Sequence, residues 1–180
     1  MTFSLPAQLR TRRVILREPR ARDAAQIFAA YTQDIEVARY MIWRPHTALA
    51  ETEQFIARCL QCWENGSARP YVLALSDDED QPIGMLEGRI QSHLLDIGYV
   101  LARAHWGAGL MPEAVSMLTA VALAQPGCFR VQASCDVNNR ASARTLEKSG
   151  FVREAELQRY TVHPNISAEP AACFLYARCR

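Results

Sequence analysis

Asp96-Ile97-Gly98-Tyr99-Val100-Leu101, followed closely by His105-Trp106-Gly107-Ala108-Gly109-Leu110-Met111-Pro112-Glu113-Ala114, is the stretch on which the fold turns. The first run reads as a buried strand and the second as a glycine-rich turn that opens a helix. Gly107 and Gly109 lack Cβ atoms, so the backbone can take positive φ and a ligand can approach it closely. The first N–H groups of a helix have no partner within it and sit at the positive end of its dipole. Strand, glycine turn and helix together therefore predict a phosphate cradle.

Two nucleotide motifs with the same ingredients are excluded. A dinucleotide fingerprint G-x-G-x-x-G would need glycine at 112, where Pro112 stands, and Gln125 to Arg130 supplies no acidic residue for a ribose. No Gly-Lys-Ser/Thr occurs, so the turn is not a Walker loop.

Outward from the turn, the chain reads as one domain over 1–180. Its 180 residues are 49% hydrophobic, enough for one filled core, with no repeat or linker-like break. Charges are mixed, with 20 basic and 19 acidic residues, and leave no footprint for nucleic acid or a membrane surface. Arg10, Arg12, Arg13, Arg17, Arg20 and Arg22 cluster near the start and read as a solvated strand edge and turn. No run approaches the ~18 apolar residues of a membrane span and no secretory leader precedes the domain, which predicts a cytoplasmic protein. The six cysteines then read as reduced core residues, and Cys59-Leu60-Gln61-Cys62 has no second pair at zinc-site spacing, so no metal is expected.

Hydrophobic period supplies the remaining elements. Thr11 to Arg17 alternates as a strand, and Asp23 to Tyr40 reads as one helix up to a turn at Pro45. Phe55, Ile56, Cys59, Leu60 and Trp63 form an apolar helical stripe within Leu49–Glu64, with Asn65-Gly66 as its stop. Tyr71–Leu75, Pro82–Ile90 and His93–Leu101 read as an antiparallel meander. A helix over Gly109–Ala124, a strand over Phe129–Cys135, a helix over Asn138–Lys148 and strands over Phe151–Thr161 and Ala172–Cys179 complete the order β-α-α-β-β-β-α-β-α-β-β. The fold class is α/β in the mixed α+β sense, with about seven strands, mostly antiparallel, and helices on both faces.

Two segments resemble the GNAT superfamily of acetyl-CoA-dependent N-acyltransferases. Trp106-Gly107-Ala108-Gly109-Leu110-Met111 is similar to that family's pyrophosphate loop. Asp136-Val137-Asn138-Asn139-Arg140-Ala141-Ser142, continuing to Glu147-Lys148-Ser149-Gly150-Phe151, is similar to its N-x-x-S…E-K-x-G-F helix. Val14-Ile15-Leu16-Arg17-Glu18-Pro19 and Tyr160-Thr161-Val162-His163-Pro164-Asn165 fit the branch of the ribosomal-protein N-terminal acetyltransferases. The resemblance spans roughly residues 10 to 179.

It implies acetyl-CoA as co-substrate, held in a cleft between splayed strands by Val100, Leu101, Trp106, Gly107, Ala108, Gly109, Leu110, Met111, Asn139 and Ser142. Asn139 would meet the amide-rich arm and Ser142 would lie near the sulfur. The chain departs from the family in having Trp106 where Arg or Gln is usual, Met111 where a small residue is usual, and Leu146 where many members carry a tyrosine acid.

Acetyl transfer to an amine needs a neutral nucleophile, an oriented thioester and stabilised developing charge. Ser142 is a candidate proton donor to the leaving thiolate, with helix capping as its structural reading. Tyr99 packs under the cofactor or contributes its hydroxyl. Glu87, in an otherwise apolar strand, is a candidate base for the amine, with pairing to Arg89 as its structural reading; Asp96, His93 and His46 are further candidates. Trp43, His46, Glu87 and Tyr160 are candidate acceptor-site residues, with His163 and Asn165 at the far side. The acceptor is a small-molecule or peptide amine, weakly favouring a protein N-terminal α-amine over an amino acid, a polyamine or an aminoglycoside. A non-catalytic CoA-binding sensor or assembly module is the alternative, and a homodimer paired through the C-terminal strand is the expected form of any self-association.

Overall fold

The computed structural model describes residues 3–180; Met1 and Thr2, within the single domain expected from the sequence, lie outside them. The elements run β1 (Gln8–Arg10), β2 (Val14–Arg17), α1 (Asp23–Ile27), a π turn (Phe28–Thr32), α2 (Ile35–Ala38), α3 (Leu49–Asn65), β3 (Ala68–Leu75), β4 (Asp78–Gln91) and β5 (Leu94–Leu101). A 3-10 turn (Arg103–His105), α4 (Leu110–Ala124), β6 (Arg130–Asp136), α5 (Arg140–Lys148), β7 (Val152–Val162) and β8 (Pro170–Cys179) follow. None of these helices is long and apolar enough to cross a membrane.

Eight strands form one sheet in the order β1-β2-β3-β4-β5-β6-β8-β7, one more than the seven expected. The additional strand is β1, three residues long and too short to display a period of two. All pairings are antiparallel except β5 with β6.

Helices cover both faces. Tyr71 and Leu73 of β3 enter a cluster with Leu110, Val115 and Leu118 of α4. Their neighbour Val72 points the other way, into a cluster with Ile27 of α1 and Ile56 of α3. A strand buried on both faces reads as a continuous apolar run rather than an alternation, as β3 does. Leu118 is fully buried, and burial of such a side chain stabilises by roughly 1.5–3 kcal/mol.

The helix expected over Asp23–Tyr40 is broken. The π turn at Phe28–Thr32 shifts its register, and Asp34 then caps a new helix by accepting from the Glu36 N–H at 2.9 Å. The arginine cluster also differs from expectation. Arg17 is 4% exposed and forks onto Asp23, at 2.7 and 2.8 Å, while Asp23 also accepts from the Arg20 N–H at 2.7 Å. Arg10, Arg20 and Arg22 pair with Glu79 and Asp80 on the surface.

The sheet opens at its centre. β5 and β6 pair only from Leu94–Arg130 to Asp96–Gln132, and beyond that point they diverge. β5 remains tied to β4 as far as Leu101, and β6 to β8 as far as Asp136. A wedge-shaped gap is left between Ile97–Leu101 and Ala133–Asp136.

Candidate active site

A cavity of about 340 Å³ occupies this gap. Tyr99 and Val100 supply one wall, Ser134 and Cys135 the other, and Asn139 and Ser142 close it from α5. The cavity continues under the segment Tyr40–Trp43 to Glu87 and Arg89 of β4.

Tyr99 spans the gap. Its Oη lies 2.8 Å from Ser142 Oγ and donates to the Ser142 carbonyl at 3.2 Å. Burial pushes the Tyr99 phenol well above its ordinary value, so at neutral pH the hydroxyl keeps its proton. Cys135 faces the same point, and burial pushes its thiol up to about 11 although the Ser142 hydroxyl opposes the shift. Leu146, at the position where many members of the family that the sequence resembles carry a tyrosine, is fully buried in the core.

Asn139 is the N-cap of α5, which begins at Arg140 rather than at Asn138 as the sequence predicts. Its Oδ1 accepts from the Ser142 N–H at 3.1 Å, so the capping half of the amide is engaged while the residue still faces the cavity.

At the other end Glu87 is paired, as its structural reading holds. Arg89 Nη1 donates to Glu87 Oε2 at 2.5 Å, and Nε and Nη2 donate to Asp96 Oδ2 at 3.0 and 2.6 Å. Burial alone would lower the Arg89 pKa, but the hydrogen bonds and charges of Asp96 and Glu87 outweigh it and hold it above its ordinary value. Glu87 Oε1 has no partner among the described residues, so it is free to accept from a group in the cavity. Two carboxylates around one guanidinium leave this end net negative, which favours a cationic amine.

The acceptor candidates divide. Trp43 lines the cavity with Glu87. His46 does not line it: its ring packs against Trp43 at 5.6 Å and its Nδ1 lies 2.7 Å from Thr52 Oγ1. Tyr160 is 53% exposed and lies outside the cavity wall; it falls where β7 slips register against β8, between Leu157 and Thr161. His163 is buried at the cavity wall, with Nε2 3.6 Å from Asp136 Oδ2. Asn165 donates to the carbonyls of Ala38 and Trp43, at 2.6 and 2.8 Å, and so fastens the β7–β8 loop to the segment above the cavity.

The glycine turn continues from the end of β5. Leu101 ends the strand, and its carbonyl accepts from the Trp106 indole at 2.8 Å. Gly107 and Gly109 take φ of 77° and 75°. The N–H groups of Gly107, Ala108, Gly109, Leu110 and Met111 find no acceptor among the described residues, while Glu113 N–H resumes the helical pattern by donating to the Gly109 carbonyl. Five free donors at the start of a fifteen-residue helix fit the pyrophosphate of an acyl-CoA. The unpaired edge of Ile97–Leu101 offers backbone groups for its amide arm.

Thr11, Arg13 and Glu113 were not singled out as site residues by the sequence. Arg13 Nη1 and Nη2 donate to the carbonyls of Ala108 and Gly109, at 2.9 and 3.3 Å, and Nε donates to Glu113 at 2.6 Å. Residues about a hundred positions apart carry no shared period, so no local pattern marks the contact.

Residues 13–152 match the family described as the acetyltransferase (GNAT) domain. An uncharacterized N-acetyltransferase, p20 of Bacillus licheniformis, is 28% identical over 155 residues, which cover 84% of this chain and 86% of that protein. Among solved structures, the microcin C7 self-immunity acetyltransferase MccE, in complex with acetyl-CoA and AMP, superposes with a TM-score of 0.86 at 19% identity, covering 98% of each chain. RimL, the ribosomal L7/L12 alpha-N-protein acetyltransferase in complex with coenzyme A, does so with a TM-score of 0.82 at 18% identity, covering 97% of this chain and 96% of that one. At these identities the structures establish a shared fold.

Proposed function

The chain belongs to the GNAT acetyltransferase family, and from that premise we propose that it moves an acetyl group from acetyl-CoA to a primary amine, with a peptide N-terminal α-amine as acceptor, by direct attack while both substrates are bound. The observation that carries the reading is the Tyr99–Ser142 hydrogen bond in the open part of the sheet. It puts a protonated phenol and a hydroxyl beside the point where the free edge of β5 ends and the glycine turn begins.

Acetyl-CoA supplies an activated acyl group on a sulfur that leaves readily. The residues of the chain do the rest. The free N–H groups of Gly107 to Met111 hold the pyrophosphate, the edge of Ile97–Leu101 and the free half of the Asn139 amide hold the arm, and Trp43 and Glu87 receive the amine. The amine nitrogen bonds to the acyl carbon as the carbon–sulfur bond breaks. Glu87, directly or through water, takes the proton the nitrogen sheds. Ser142 gives its proton to the departing thiolate and takes one from Tyr99, which regains a proton from solvent as the products leave. With Leu146 in the core, the proton donors of this reading are Ser142 and Tyr99, which line the cavity.

The peptide acceptor draws support from the apolar rim of the chamber, formed by Met41, Ile42 and Trp43, which suits a chain continuing beyond the amine. A polycationic amine would want more than one free carboxylate. The test is thiol release from acetyl-CoA with a lysine-free peptide bearing a free N-terminus, the same peptide N-formylated, spermidine, and an aminoglycoside. Release with the free peptide alone is expected. Faster release with spermidine or the aminoglycoside overturns the acceptor class. Acetyl-CoA binding without release to any amine establishes the non-catalytic module instead.

A further inference from the structure

Beyond the helical bond from the Glu113 N–H to the Gly109 carbonyl, the glycine turn is held from outside. Its two outward carbonyls, those of Ala108 and Gly109, are both taken by the guanidinium of Arg13, which projects from the β1–β2 turn. In a trans peptide the C=O of one residue and the N–H of the next point in opposite directions. Fixing the Ala108 carbonyl on Arg13 therefore aims the Gly109 N–H away from Arg13, and fixing the Gly109 carbonyl does the same for the Leu110 N–H. These are two of the five free donors of the turn.

The same guanidinium is bound to Glu113 through Nε at 2.6 Å, and Thr11 Oγ1 donates to the other oxygen of that carboxylate. Glu113 lies in the first turn of α4, where a carboxylate suits the helix dipole but repels any anion brought to the helix start. Burial alone would raise the Glu113 pKa, yet the bonds from Thr11 and Arg13 outweigh it and hold the acid below its ordinary value, so it stays charged. Arg13 thus aims the donors and neutralises the charge that would oppose their ligand.

We infer that Arg13 is a positioning residue for the pyrophosphate of acetyl-CoA, acting through the carbonyls of Ala108 and Gly109 and the carboxylate of Glu113. The inference rests on the acetyl-CoA reading above. Lysine cannot replace arginine fully here, because an ammonium neutralises Glu113 but lacks the planar fork that reaches two carbonyls at once.

The test compares the full-length wild-type chain with Arg13→Gln and Arg13→Lys, by calorimetric titration with acetyl-CoA, by steady-state kinetics and by thermal unfolding. For Arg13→Gln the acetyl-CoA dissociation constant and KM rise about tenfold or more, while kcat at saturating acetyl-CoA and KM for the amine stay within about twofold; Arg13→Lys falls between it and wild type. Acetyl-CoA affinity unchanged in both variants overturns the inference. So does a fall in kcat with KM for acetyl-CoA unchanged, which is what loss of folded enzyme alone produces. Wild-type protein that does not bind acetyl-CoA overturns the functional reading itself, and the inference with it.

Discussion

Tyr99 on β5 and Ser142 on α5 meet hydroxyl to hydroxyl at 2.8 Å across the gap where β5 and β6 part. Tyr99 is held on one side by its pairing with Leu86 of β4 and is free on the side facing β6, and the two residues belong to elements that approach each other only in the folded chain. Removal of a general acid typically costs 10²–10⁴ in rate. Tyr99→Phe is therefore expected to lower kcat by about 10², with acetyl-CoA affinity within about twofold of wild type. Ser142→Ala should fall similarly, and the double variant little further, because residues acting as a unit are not additive. Full activity in both single variants removes the pair from the reaction.

Glu87 keeps one oxygen on Arg89 and one free. Glu87→Gln preserves the shape and the hydrogen bond but not the basicity. In a series of kcat/KM against pH, the variant should be slower by at least about tenfold near neutrality and should recover as the amine loses its own proton at higher pH. A deficit equal at every pH would mean that Glu87 orients the acceptor and takes no proton.

Arg17 and Asp23 form a buried ion pair that joins β2 to the start of α1, at 4% and 1% exposure. Removing one partner of such a pair leaves an uncompensated buried charge and costs about 3–5 kcal/mol. Asp23→Ala should lose that much in urea unfolding, whereas Asp80→Ala, whose partners Arg20 and Arg22 are on the surface, should lose about 1 kcal/mol or less. Equal losses would show that burial does not set the worth of the inner pair.

His46 packs against Trp43 with Nδ1 on Thr52, and its pKa lies below the ordinary 6.5. Burial is the main cause, helped by Arg58 and opposed by Glu51. Because the folded state disfavours the imidazolium, the unfolded chain takes up the proton first as pH falls. The contribution is thus present above about pH 6.5 and is lost as pH drops through the folded value. His46→Asn should flatten the dependence of melting temperature on pH between about 7 and 5. An unchanged slope would assign the acid sensitivity to other groups.

The elements and their order were legible because each advertises itself locally. α4 shows a continuous apolar surface, the meander shows runs broken by turn residues, and Gly107 and Gly109 sit where positive φ is needed. Where a local signal was weak, the reading erred. Three-residue β1 is too short for a period, and the π turn at Phe28–Thr32 leaves the apolar spacing of a helix nearly intact while ending it.

For the site, the glycine turn was legible as a local strand–turn–helix pattern, whereas Asn139 and Ser142 were singled out by the resemblance of their helix to the family motif. The sequence by itself thus determined the strand–turn–helix unit, the alternation of the sheet and the chemistry available at each position. Tertiary structure alone decided which side chains meet: Tyr99 with Ser142, Glu87 with Arg89 and Asp96, Arg13 with the carbonyls of Ala108 and Gly109, and Tyr160 with solvent. The physical reason is that periodicity records only which face of its own element a residue occupies. The partner on that face is set by sheet order and by the point at which β5 and β6 separate, and these depend on the packing of the whole core.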